Sequence, residues 1–322
     1  MKRSNSGLRY AAITLGSNSF NMLVAQTVAG APKVVAKYKR KVRLAEGIGP
    51  DDMLNQVAFE RGLDCLAMFS LMLDKERVSR DNIAVIATAT LRSIKNANAF
   101  CDAALSILGQ PIEIISGLRE AELIYQGMVA TTRGEGRRLV IDIGGASTEF
   151  IIGDGHNVLL KTSLAMGSVT FNEKFFNSFP FQQLDFDAAQ AHVESVLGDY
   201  RTQLIHYGWH CVVGASGAVQ SVVELLNARG LSGTITLSVL SQLREEVLAQ
   251  TDVSMRDVVG LHHERAPTFA AGVAILLSLF NLLHIQSLNL SGGALREGVL
   301  ELLAERVTQI ELPLTDTAST QI

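Results

Sequence analysis

The chain has 322 residues, 48% of them hydrophobic and 19% charged, with a formal net charge of −4. Such a length predicts two domains with a core each, and the slight acidity withholds the basic footprint of a nucleic-acid binder. Cys65, Cys101 and Cys211 are few and far apart, which fits neither a disulfide framework nor a metal site; reduced thiols in a cytoplasmic protein are expected.

In chain order, Met1-Lys2-Arg3 is basic, but the apolar stretch Tyr10–Leu15 is too short and runs too directly into Gly16 for a signal peptide. Ala12–Phe20 reads as strand, glycine turn, strand, and Lys33–Leu44 as a third strand. Met53–Val78 is predicted helical, with Phe59, Leu63, Leu66, Phe69 and Leu73 on one face. A short buried strand spans Asn82–Thr90 and leads to Arg92; a helix follows at Ala97–Leu108 and a strand at Pro111–Ile115. Ser116-Gly117 then opens a helix over Leu118–Thr131. The second half repeats the order. Strands are expected at Leu139–Ile143, Thr148–Ile152 and Val158–Ser163, then helices near Ser168–Phe176 and Phe186–His206. The strand Cys211–Val213 enters the turn Gly214-Ala215-Ser216-Gly217 and a helix to Ala228. Helices at Ile235–Gln250 and Thr268–Leu283, a strand at Ser287–Leu290 and a last helix to about Val307 complete the pattern. The run Thr268–Leu283 falls short of the ~20 residues that span a bilayer, so a buried helix and no membrane association are expected. With no linker between the halves, the joint is placed at a continuous hinge over residues 117–135. Residues 311–322 read as a frayed tail.

The centre of the pattern is Leu139–Ile152, in which Asp142 precedes the turn Gly144-Gly145 and Ser147 and Thr148 follow it. Glycines at such a bend let backbone N–H groups reach an anion, and a carboxylate at the strand end can hold Mg²⁺. A hairpin that merely turns on glycine would look the same. The recurrence of the pattern at Ala12–Phe20 favours two phosphate loops facing a shared cleft, with Thr14 where the second copy has Asp142. His262-His263-Glu264 lacks a third ligand at useful spacing and is expected in a surface loop. Ser216 lacks the His/Asp partners of a nucleophile.

Two copies of strand–strand–strand–helix–strand–helix resemble the actin-like fold of the acetate kinase/Hsp70/actin superfamily, an α/β, ribonuclease H-like duplication around a central cleft. Within it the chain resembles the exopolyphosphatase/guanosine pentaphosphate phosphohydrolase (Ppx/GppA) family. The runs that carry the resemblance are Leu15–Phe20, Ala89–Arg92, Ile115–Gly127, Ile141–Glu149, Gly214–Gly217 and Gly292–Gly298. Lys41–Ala45 and His206–Trp209 lean toward the guanosine pentaphosphate branch. The resemblance implies an actin-like domain I over residues 1–120, completed by a C-terminal helix at about 300–310, and a domain II over 121–299. It implies Glu120 as general base. Phosphate would lie on Gly16, Ser17, Asn18, Ser19, Arg92, Gly144, Gly145, Ser147 and Thr148. Mg²⁺ is the implied cofactor, held by Asp142 and Glu149; Gly214, Ser216 and Gly217 would meet a nucleotide base or distal phosphates. Arg119 and Glu122 flank Glu120 as solvated helix residues. The expected reaction is hydrolysis of the terminal phosphoanhydride of guanosine pentaphosphate, of polyphosphate, or of both. The partner is thus a small polyanion, with a homodimer as the expected assembly if there is one. Two departures stand out: the family's first loop begins with an aspartate where this chain has Thr14, and longer members carry a further helical HD-type domain. The alternative reading is a weakened or non-catalytic sensor of the same ligands.

Overall fold

The protein is described by a computed structural model, which covers residues 7–28 and 31–311. Its first sheet is a meander of β1 (Arg9–Leu15), β2 (Ser19–Val28) and β3 (Ala31–Lys41), antiparallel throughout. Helix α1 (Gln56–Lys75) returns the chain to β4 (Ile83–Ala87); α2 (Ala89–Ser93) and α3 (Ala97–Leu108) lead to β5 (Ile112–Ile114), and α4 (Gly117–Thr131) leaves the sheet. β4 lies parallel to β1 and β5 parallel to β4, giving the order β3-β2-β1-β4-β5.

The second half rebuilds this plan. β6 (Arg137–Ile143), β7 (Thr148–Asp154) and β8 (Asn157–Leu164) form an antiparallel meander. Helices α5 (Ser168–Phe175), α6 (Gln183–Leu197) and α7 (Asp199–Tyr207) precede β9 (Cys211–Ala215). Then come α8 (Ser216–Ala228), α9 (Leu237–Leu248), α10 (Phe269–Leu283), β10 (Asn289–Leu290) and α11 (Leu295–Glu311). The order β8-β7-β6-β9-β10 matches the first sheet strand for strand. Two α/β units of one topology, with the two glycine turns at equivalent corners, make the duplication a fact of geometry.

Alternation decides which face of each strand meets which helices. Ala11, Ile13 and Leu15 join the core under α1 and α3, whereas Tyr10 and Ala12 meet Val299, Leu300, Leu303 and Val307 of α11. In the second sheet Leu139, Ile141 and Ile143 face the core of α5–α10, and Val140 and Ile151 face Ala121, Ile124, Tyr125 and Met128 of α4. The helix that leaves the first sheet therefore covers the second, and the last helix returns to cover the first. The two cross where glycines remove both side chains: a Cβ on Gly298 would sit 1.9 Å from the Leu123 carbonyl oxygen, and one on Gly127 2.0 Å from that of Ala294.

Three expectations need correction. The single helix expected over Phe186–His206 is two, α6 and α7, because Gly198 adopts φ +46° and turns the chain between them. The strand expected over Asn82–Thr90 stops at Ala87, and Arg92, expected just past its end, is carried on the short helix α2. Helix α10 begins at Phe269 after a single 3₁₀ turn holding Pro267. Every residue of α10 except Asn281 is buried, so the stretch Ala266–Leu283, long and apolar enough to cross a membrane by length and composition alone, packs inside the domain against α5–α9. His262 and His263 lie in an exposed turn, as expected. The frayed tail, apart from Glu311, lies outside the described residues.

Candidate active site

The two glycine turns face one another across a cleft of about 380 Å³. In each, a backbone N–H closes the turn: Gly16 donates to the Ser19 carbonyl at 3.2 Å and Gly144 to that of Ser147 at 2.9 Å. The carbonyls of Gly144 and Gly145 accept from the first amides of α5, Ser168 at 2.9 Å and Val169 at 2.8 Å, and the Asn18 carbonyl accepts from Val42 and Arg43. The outward-turned carbonyls are thus satisfied. Among the described residues the amides of Ser17, Asn18, Gly145 and Ala146 have no hydrogen-bond partner, and all four residues line the cleft. Unpaired N–H groups at adjoining glycine bends form an anion-binding concavity. The loops meet at its floor, where a Cβ on Gly145 would stand 2.8 Å from Ser17 Cβ. Ser17 is steadied in turn by the Thr90 hydroxyl, which donates to its Oγ at 2.8 Å.

Glu120 enters this cleft from the first turn of α4, a helix capped by Ser116, whose hydroxyl accepts from the Arg119 amide at 3.2 Å. Its Oε2 is buried and, among the described residues, has no hydrogen-bond partner. Arg92, which donates to the Ile115 carbonyl at 2.6 Å, holds its guanidinium 3.9 Å from that oxygen. Burial, and then the charges of Glu149 and Asp142, push the Glu120 carboxyl well above the usual carboxylate range, against the opposing pull of Arg92 and the Thr88 hydroxyl. Asp142 and Glu149 are cross-strand partners on β6 and β7. Burial raises Asp142 to about 6, with Ser216 opposing, and raises Glu149 to about 8, with the Asp142 charge adding and Ser163 opposing. Three buried carboxyl groups are opposed by only two guanidinium charges, Arg92 for Glu120 and Glu149 and Arg296 for Asp142, and one carboxyl oxygen is orphaned. That surplus of negative charge suits a divalent cation. Among the described residues no three ligating side chains converge on one point, so a cation here would take further oxygens from a polyanion.

Two sequence expectations fail in this geometry. Thr148 is fully buried and donates to the Met166 carbonyl at 2.6 Å, so its hydroxyl is not offered to the cleft. Gly214 lies inside β9, where a Cβ would be 2.7 Å from both Leu288 and Val219 side-chain atoms; it is a packing glycine. Gly16, Ser17, Asn18, Ser19, Gly144, Gly145, Ser147, Ser216, Gly217, Glu120 and Asp142 all line the cleft, while Arg92 and Glu149 stand behind that wall. Ser216 holds φ +65°, uncommon for a residue with a Cβ, at the start of α8. Arg119 and Glu122 pair with each other at 2.8 Å, and Glu122 also pairs with Lys161.

Sequence reasoning missed the cationic wall. Lys39 and Lys41 on β3, Arg265 before α10 and Arg296 on α11 all line the cleft. Arg265 is held by a two-pronged pair with Glu224, at 3.1 and 3.0 Å, but neither lysine is ion-paired among the described residues. Burial, followed by the charges of Arg265, Lys41 and Arg296, lowers Lys39 to about 8. The basic alternation of β3 was the available signal. Its two lysines share a face by period-two spacing, yet only the fold reveals which face meets the cleft.

A profile of the Ppx/GppA phosphatase family matches residues 23–306. The chain belongs to that family. It is 42% identical over 321 residues to a guanosine-5'-triphosphate,3'-diphosphate pyrophosphatase of Vibrio parahaemolyticus, and 43% identical over 321 residues to one of Aliivibrio fischeri. Each alignment covers 100% of this chain and 64% of the relative, so the chain spans just under two thirds of their length. Among solved structures, an exopolyphosphatase from Cytophaga hutchinsonii superposes with a TM-score of 0.83 at 24% identity, over 92% of this chain and 98% of the other. A Ppx/GppA family member from Aquifex aeolicus gives 0.75 at 22%, over 95% and 99%. These structures share the family's duplicated, actin-like fold.

Proposed function

We propose that this Ppx/GppA chain hydrolyses the terminal phosphoanhydride bond of a polyphosphorylated substrate, with guanosine pentaphosphate first and inorganic polyphosphate second. The observation that carries the reading is the orphaned, buried Oε2 of Glu120 beside Arg92, at the floor of a cleft lined by unpaired amides. The names of the full-length relatives favour the nucleotide.

In this reading the amides of Ser17, Asn18, Gly145 and Ala146 grip the terminal phosphoryl group, and the Arg92 guanidinium, 3.9 Å from Glu120, offsets the charge gathered behind it. A water between Glu120 and phosphorus gives its proton to Glu120 as the new O–P bond forms. The bridging P–O bond breaks on the opposite side, and the shortened substrate leaves with that oxygen. A carboxyl group that burial raises well above the usual carboxylate range is a stronger base than an exposed one, which favours taking a proton from water. Asp142, with Glu149 beside it, would hold Mg²⁺, which neutralises charge on the phosphate oxygens. The wall of Lys39, Lys41, Arg265 and Arg296 would take the substrate's remaining phosphates, and Ser216 and Gly217 at the head of α8 those next to it. The proposed units are a domain of residues 1–120 completed by the last helix, and one of 121–299. A reducing, cytoplasmic setting agrees with three cysteines that are all free.

The test is phosphate release by the purified chain offered guanosine pentaphosphate, polyphosphate and ATP in parallel, with Mg²⁺. Release from the first two but not ATP is expected. Tight binding without release from any would replace hydrolysis with sensing.

A further inference from the structure

Asp142, Glu149 and Ser163 stand in one row across β6, β7 and β8, each the direct cross-strand partner of the next. All three therefore project from the same face, the one α4 covers. The row ends at Ser163, which makes two contacts at once. Its hydroxyl donates to Glu149 Oε1 at 2.7 Å. Its side chain also fills the space where a Cβ of Gly117 would be, with Oγ 2.3 Å and Cβ 2.4 Å from that position. Gly117 is the first residue of α4 and Glu120 lies one turn further on. The same place lies 3.7 Å from Arg92 Nη2. Two residues along β8, Lys161 pairs with Glu122 and pins the same turn of α4 to the strand. β8 is an edge strand whose remaining role would be to close the sheet, yet its end touches both Glu149 and the first turn of the helix that carries Glu120.

We propose that Ser163 is a positioning residue for the reaction assigned above, a reading on which this inference rests: it orients the Glu149 carboxylate through its hydroxyl and sets the height of Glu120 through its contact with Gly117. A carboxylate with one oxygen fixed presents the other in a defined direction, and supporting hydrogen bonds of this kind are worth about 10- to 100-fold in metal affinity or activity. The contact with Gly117 explains why α4 begins on glycine although no unusual φ requires it. Any side chain there would push the first turn, and Glu120 with it, off β8.

The test uses the full chain in two measurements. The first is steady-state phosphate release at saturating Mg²⁺; the second is the Mg²⁺-dependent rise in thermal midpoint without substrate, which needs no turnover. Ser163→Ala keeps the Cβ and loses the donor. It should lower kcat about tenfold with KM within about twofold, and raise the half-saturating Mg²⁺ of the thermal shift several-fold. Ser163→Cys, with its weak donor, should fall between alanine and the parent. Gly117→Ala should lower kcat by a similar factor, and in the double variant with Ser163→Gly that penalty should shrink at least about fivefold, since the obstructing side chain is gone. Superimposed Mg²⁺ titrations for parent and Ser163→Ala would overturn the hydroxyl's role. Penalties that simply multiply in the Gly117/Ser163 cycle would overturn the contact's. If the parent releases no phosphate, the hydrolase reading fails on its own, and the thermal titration still decides whether Ser163 orients Glu149.

Discussion

At Glu120 one carboxyl group feels burial, two neighbouring acids and one guanidinium, and the first three dominate. Glu120→Gln keeps the shape and removes the proton acceptor. In stopped and continuous phosphate-release assays kcat should fall by about 10²–10⁴-fold with KM little changed; a parental rate would remove Glu120 from the mechanism. Thr14 occupies the first-sheet place of Asp142, buried to 3% exposure and lining the cleft. Thr14→Asp adds a further acid to a site already rich in them. The variant should melt below the parent without Mg²⁺ and regain the difference with it, and should reach half-maximal rate at lower Mg²⁺. Identical Mg²⁺ curves would place residue 14 outside the cation's reach. Lys39 titrates at about 8 instead of 10.5. It is a cation at pH 7 and loses that charge as pH rises through 8, so KM for a polyanion should climb between pH 7.5 and about 9 and climb less in Lys39→Arg. The stability effect has the opposite sign. Between about 8 and 10.5 the unfolded chain binds the proton that the folded chain has released, so this group's contribution to stability grows with pH across that window.

Among the elements, the crossing of α4 and α11 is the most sensitive to volume. Gly298→Ala sets a methyl 1.9 Å from the Leu123 carbonyl oxygen, and backbone yields less readily than a side chain. A loss of about 2–3 kcal/mol is expected by thermal or urea unfolding. A fall in kcat should accompany it, because α4 carries Glu120. A parental midpoint would mean that the helices can part without cost. The periodicities of β1, β6 and α1 placed both meanders and their covering helix, and the doubled glycine turn placed the floor of the cleft, because these signals are local. The break at Gly198 stayed hidden since the apolar spacing runs on through it, and glycine is tolerated within helices at a cost of about 1 kcal/mol. Arg265 and Arg296 were illegible for a different reason: the cationic wall is assembled from β3 and, more than 200 residues later, from the approach to α10 and from α11. Thr148 and Gly214 were misread because the signature runs they belong to serve packing as well as ligand contact.

On the scale of the whole molecule, each sheet is finished by a helix that belongs in sequence to the other. Tyr10, Ala12, Leu23 and Ala25 of the first sheet have Leu300, Leu303 and Val307 of α11 as their cover. From Leu15 to Leu295 is a stretch of 280 residues. At about 5–20 residues per second, a ribosome needs roughly 15–60 s to make it. For the later part of that interval, once β5 is complete, the first half of the protein exists as a sheet with one apolar face bare. Nascent chains should therefore engage holdase chaperones from about the completion of β5 until α11 emerges, a window visible to ribosome profiling of chaperone-bound chains. A stop codon placed at Leu295 should yield an insoluble product even though every cleft loop up to that point has been made, and adding α11 as a separate peptide should rescue solubility. The protein's birth order thus carries a built-in delay: its first-made half cannot be sealed until α11 has left the tunnel.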